Sequence, residues 1–181
     1  MNTHTAFYPQ LKEMVINSGY ESVTDGHVKY RDMMNALKQG EVKSIQVNEH
    51  AADLPDVVFA FYEHVKMQNL VQKDWYSGLI ISQQHAPSTL TKMILKKKIG
   101  TENISGADLK TFSDDKLLPL FFVQPENKCL DHIIVDQKRK HGLDAILILD
   151  SHYEYENQDR AALASLKSKA EEFMVSVVYL L

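Results

Sequence analysis

Short, continuous apolar runs alternate along the chain with longer stretches in which apolar positions recur every three or four residues. The short runs, "VKSIQV" (42–47), "YSGLIIS" (76–82), "LLPLFFVQ" (117–124), "LDAILILD" (143–150) and "MVSVVYLL" (174–181), read as strands. The third should start at Pro119 or later, because proline cannot donate inside a ladder. Helices are expected between them. "PSTLTKMILKKKIG" (87–100) carries Ser88 or Thr89 as cap, and a short helix lies within "TENISGADLKTFSDDK" (101–116). "ENKCLDHIIVDQKRKHG" (126–142) has basic residues in its last turn and Gly142 as its stop, an order that suits the helix dipole. "NQDRAALASLKSKAEEF" (157–173) completes the set.

Residues 53–71, "DLPDVVFAFYEHVKMQNLV", are the ambiguous stretch. The β-branched and aromatic interior suits a strand. Its length, with Asp53 as a cap and Pro55 in the first turn, favours a helix. Before it, "AFYPQLKEMVINSG" (6–19) and "YRDMMNALKQG" (30–40) read as helices ending at Gly19 and Gly40, with a turn at Asp25-Gly26 between them.

Strand and helix alternating imply parallel strands joined by crossovers, and runs apolar on both faces imply a covered sheet. The expected fold is α/β: an open, mostly parallel sheet of about five strands, flanked by helices as a three-layer sandwich. An N-terminal helical segment, residues 1–41, would pack on a main α/β domain, residues 42–181.

Charge narrows the function classes. Residues 1–90 hold 7 Lys+Arg and 10 Asp+Glu, and residues 91–181 hold 13 and 14, so both halves are mildly acidic, at −3 and −1. Neither half is a basic arm, so no nucleic-acid partner is expected. No apolar run approaches the roughly 18 residues that span a bilayer, and the first residues lack the pattern of a signal peptide. The single cysteine, Cys129, permits no internal disulfide. It lies on the apolar stripe of its helix and reads as a small core residue. A soluble, cytoplasmic protein without a membrane partner is expected.

Ligands of open parallel sheets bind beyond the carboxyl ends of the strands. There the sequence places Glu49 and His50, then Gln83, Gln84 and His85, then Gln124 and Glu126, then Asp150, Ser151, His152 and Glu154. Imidazole and carboxylate are ligands for divalent metals, so His50, His85 and His152 are candidate ligands. His85, Asp150, His152 and Glu126 are candidate catalytic groups of a metal-assisted hydrolase or a nucleotide- or phosphate-acting enzyme. Glu49 or Glu126 would be its general base. Against this, no HExxH, GxGxxG or GxxxxGK[ST] occurs. The basic residues Lys96–Lys98 and Lys138–His141 sit where helix C-termini favour them.

The leading expectation is a protein-binding adaptor or accessory subunit of a larger complex. Tyrosine and tryptophan are favoured at interfaces. Tyr153 and Tyr155 in the acidic loop "SHYEYENQDR", with Trp75 and Tyr76, are the candidate contact residues.

Overall fold

A computed structural model of the chain describes residues 25–45, 53–71, 75–113, 119–125, 130–150 and 160–180. Along these run helix α1 (Asp25–Asn35), strand β1 (Val42–Ile45), α2 (Leu54–Val71), β2 (Gly78–Ile81), α3 (Pro87–Ile99) and α4 (Gly106–Ser113). They are followed by β3 (Leu120–Val123), α5 (Leu130–His141), β4 (Ala145–Ile148), α6 (Arg160–Phe173) and β5 (Ser176–Leu180). The fold is α/β. Five parallel strands form one sheet in the order β1-β5-β4-β2-β3, with helices on both faces. No helix among the described residues is long and apolar enough to cross a membrane.

The period of two along each strand divides the core. Ile80, Leu147 and Val178 point to one face, where they meet Tyr30 and Met34 of α1, Val57 to Val65 of α2, and Leu90 and Ile94 of α3. Leu79, Ile81, Ile146, Ile148 and Val177 point to the other, against Leu130, Ile133 and Ile134 of α5 and Leu166 and Ala170 of α6. Strands β2 and β4 are buried at every position, which is why each reads as an unbroken apolar run.

Residues 54–71 are a helix, and the composition that suggested a strand has a physical reason. Every residue of α2 from Asp56 to Val65 is buried, because α1 and α3 flank the helix while it lies on the sheet. A helix apolar all round is what such a position requires. Its charged start is matched by α3: Lys97 Nζ lies 2.7 Å from Asp56 Oδ1. Asp53 holds the incoming chain by accepting the Tyr30 hydroxyl at 3.2 Å. Gly78, at the start of β2, marks the closest approach of helix and sheet. A Cβ there would stand 2.5 Å from Val65 Cγ2.

Three local expectations are corrected. The helix expected to stop at Gly40 ends at Asn35, and Gly40, with φ 76°, lies in the turn before β1. Asp25 and Gly26 are the first residues of α1 and not a turn before it. Ser88 and Thr89 lie inside α3 and do not cap it. Ala86 is the N-cap and, with a methyl side chain, makes no side-chain cap bond; Pro87, with its fixed φ and no N–H, takes the first helical position. The expected stop after α5 is in place: Gly142 adopts φ 64° and its N–H reaches Lys138 O at 2.8 Å.

Candidate binding site

Two edges of the sheet gather polar side chains, and they use them differently. At the carboxyl edge, the chain leaves β2 for β3 through α3 and α4, and leaves neighbouring β4 for β5 through α6 on the opposite face. The winding reverses between β2 and β4, and that is where doubly wound sheets open a ligand crevice. Ser82 to Ala86 follow β2 there, and Leu149 and Asp150 follow β4.

Among the described residues, the polar groups at this crevice are bound to one another. Asp150, 5% exposed, accepts the Ser82 hydroxyl at 3.1 Å, the Gln83 N–H, and at 3.5 Å the Gln84 N–H. Ser82 Oγ accepts the His85 N–H at 3.0 Å. Gln124 Nε2 donates to Gln83 O at 2.9 Å, joining the end of β3 to the same corner. His85 is linked to Asp150 only through Ser82, whose hydroxyl oxygen accepts the His85 main-chain N–H and donates to the carboxylate. The Asp150 carboxylate sits on backbone amides that would otherwise face an anion. Among the described residues, no three His, Cys, Asp or Glu side chains gather as a metal site. Glu49, His50, Glu126, Cys129, His152, Tyr153 and Tyr155 lie outside the described residues.

At the amino edge, the segments leading into β1, β2, β4 and β5 surround a cavity of about 190 Å³, lined by Leu37, Gln39, His64, Gln68, Tyr76, Asp144 and Ser176. His64, on the buried face of α2, is the pivot. Its Nδ1 lies 3.2 Å from Asn35 Oδ1 of α1, and its Nε2 lies 3.0 Å from the Tyr76 hydroxyl. Burial pushes its pKa down to about 4, so the ring is neutral at pH 7. Because Asn35 Oδ1 can only accept, Nδ1 carries the proton and donates, which leaves Nε2 to accept from Tyr76. Burial, and then the nearby Asp144 carboxylate, raise the Tyr76 pKa and keep that phenol protonated.

The frame around the cavity is held by bonds between neighbouring strand starts. Asp144 Oδ2 accepts the Ser77 N–H at 2.8 Å, and Ser77 O accepts the N–H groups of Asp144 and Ala145. Ser176 N donates to Asp144 O at 2.8 Å, and Ser176 Oγ donates to Lys38 O at 2.8 Å. Asn69 clamps Tyr76 from the end of α2: its Oδ1 accepts the Tyr76 N–H at 3.0 Å and its Nδ2 donates to Tyr76 O at 2.5 Å and Val65 O at 2.8 Å. Trp75, next to this fixed point, is 61% exposed.

Of the aromatic residues expected at a contact surface, Trp75 is open to solvent, whereas Tyr76 is half-buried with its hydroxyl bound to His64. Sequence reasoning passed over His64, Asp144 and Ser176. The signal for them was present. His64 interrupts an apolar helix, where a buried polar group needs a partner. A polar residue stands just before each central apolar run: Ser77, Asp144 and, at its first position, Ser176. In comparisons with known proteins, the chain matches no family model and no curated sequence.

Proposed function

We propose that this chain is a non-catalytic binding module, an adaptor or accessory subunit that works in the cytoplasm and meets its protein partner with the amino edge of its sheet. The observation that carries the reading is where the exposed apolar residues lie. Among the described residues, the large exposed ones are Leu70, Val71, Trp75, Ile99 and Met174. Each belongs to the C-terminal end of a helix or to a segment approaching a strand. Helices of alternating α/β units run against the strands, so all five stand at the amino edge. Large apolar side chains exposed on one edge of the sheet are the residues a partner would cover.

Trp75 is the anchor. Tryptophan is the residue most enriched among interface hot spots, and an anchor held rigid before binding loses less freedom on association. The Asn69 clamp on Tyr76 supplies that rigidity. The partner would offer an apolar pocket for the indole. The Asp150 corner supports binding over catalysis, since its carboxylate is spent on Ser82, Gln83 and Gln84.

The test is affinity capture with the whole chain, followed by measurement with the purified partner. Trp75→Ala should weaken binding by about 2 kcal/mol or more, the range of an interface hot spot. Trp75 is the chain's one tryptophan, so partner binding should also shift its fluorescence. A partner that binds the variant as tightly as the parent chain, with no change in indole emission, overturns the assignment of this surface.

A further inference from the structure

We infer that the amino-edge cavity is a binding site for a small organic cation rich in N–H donors, of the alkylammonium or guanidinium class. The inference stands apart from the protein-binding reading, because it rests on the cavity's hydrogen-bonding inventory and charge.

Three groups that line the cavity have no hydrogen left to offer it. The Tyr76 hydroxyl gives its hydrogen to His64 Nε2. The Ser176 hydroxyl gives its hydrogen to Lys38 O. Asp144 is a carboxylate with no hydrogen of its own, and the Ser77 N–H occupies one side of one oxygen. Each keeps unused lone pairs, two on a hydroxyl oxygen and about four sites on a carboxylate. The cavity therefore presents acceptors. Gln39, whose amide both donates and accepts, sets no preference of its own.

Charge points the same way. Among the described lining residues Asp144 is the one charged side chain, and none of them is a lysine or arginine. His64 is neutral at pH 7 because it is buried. An anion would meet the carboxylate with no cation among the described lining residues to offset it. A neutral acceptor would meet lone pairs. A donor-rich cation would meet Asp144 as its counter-charge and Tyr76 Oη and Ser176 Oγ as further acceptors, giving charge-assisted hydrogen bonds. The volume, about 190 Å³, has room for several waters or for one molecule of this size.

The experiment is calorimetric titration of the full chain with four probes: methylguanidinium, tetramethylammonium, acetamide and acetate. Methylguanidinium should bind saturably in the millimolar range or tighter. Tetramethylammonium, which keeps the charge and lacks the donors, should bind at least about tenfold more weakly, the worth of one lost charged hydrogen bond. Acetamide and acetate should not saturate. Asp144→Asn keeps an oxygen for the Ser77 N–H and should weaken methylguanidinium about tenfold. Tyr76→Phe keeps the ring and should weaken it less.

A wild-type measurement guards against a variant that fails to fold. Methylguanidinium should shift the backbone amide resonances of Tyr76, Ser77, Asp144 and Ser176. The inference is overturned if methylguanidinium shows no saturable binding, if its shifts map elsewhere, if acetate binds as well, or if a folded Asp144→Asn binds it unchanged. Loss of partner binding in Trp75→Ala has no bearing on these outcomes, so the two readings fail separately.

Discussion

The two edges of this sheet are built from similar residues and end in opposite states. At the carboxyl edge, Asp150 meets Ser82 Oγ and the N–H groups of Gln83 and Gln84, so acceptors and donors cancel within the protein. At the amino edge, Tyr76 and Ser176 have given their hydrogens to His64 and Lys38, and the Asp144 carboxylate accepts one hydrogen bond, so acceptors are left over around an open volume. The general rule for doubly wound sheets points to the first edge. The accounting of polar groups points to the second. A crevice at the right place in the topology is a site only if its polar groups remain uncommitted, and here the described ones are bound to each other.

The sharpest way to break this comparison is at Asp150. If its carboxylate is a clamp, Asp150→Ala leaves the buried Ser82 hydroxyl and the Gln83 N–H without their acceptor. It should lower the unfolding free energy by about 3 kcal/mol, within the range for losing the charged partner of buried donors. Asp150→Asn, which retains one acceptor oxygen, should lose less. Urea denaturation followed by circular dichroism measures both. A fully stable Asp150→Ala would mean that the carboxylate is not holding the corner, and would reopen the carboxyl edge as a site.

The amino edge has its own signature in pH. The folded-state pKa of His64 is pushed by burial to about 4, below the ordinary 6.5. The unfolded chain then binds more protons than the folded one between those values, so stability rises with pH across that window. It should be fully present above about 6.5 and drain away as pH falls toward 4. Between pH 6.5 and 5 the loss should be about 2 kcal/mol, the pKa gap crossed at 1.36 kcal/mol per unit. His64→Gln, which cannot titrate, should flatten that slope. An identical slope in the variant would mean that His64 is not held neutral and that the proton order Tyr76 to His64 to Asn35 is wrong.

The layers of this fold were legible because its strands are apolar on both faces. "AILI" and "GLII" are buried at every position, and apolar runs this short, bounded by polar residues, read as covered strands. The helix of residues 54–71 was legible from its length and its proline, although "VVFAF" has strand composition, because burial on all sides sets that composition rather than backbone preference. The strand order was not legible, since local pattern says nothing about which strand lies beside which. Neither was the fate of the polar groups. Ser82 meets Asp150 across 68 residues, and Asn35 meets His64 across 29. Both edges could be drawn as polar from the sequence, and only the pairing across those separations tells the closed edge from the open one.

The smallest expected effect tests whether the amino edge is rigid enough to serve as a binding face. Asn69→Ala removes three hydrogen bonds, to Tyr76 N, Tyr76 O and Val65 O. Tyr76 is half-buried, so water can replace part of what is lost, and the cost should be about 1 kcal/mol. The larger consequence should be local. Trp75 adjoins the clamped residue and is the chain's one tryptophan, so its fluorescence anisotropy reports on this segment alone. Anisotropy should fall in Asn69→Ala while the far-ultraviolet spectrum stays unchanged. Unchanged anisotropy would show that Trp75 moves independently of the clamp. An indole of that kind would have to be ordered by its partner, and the two edges would then differ in their free acceptors but not in a prepared anchor.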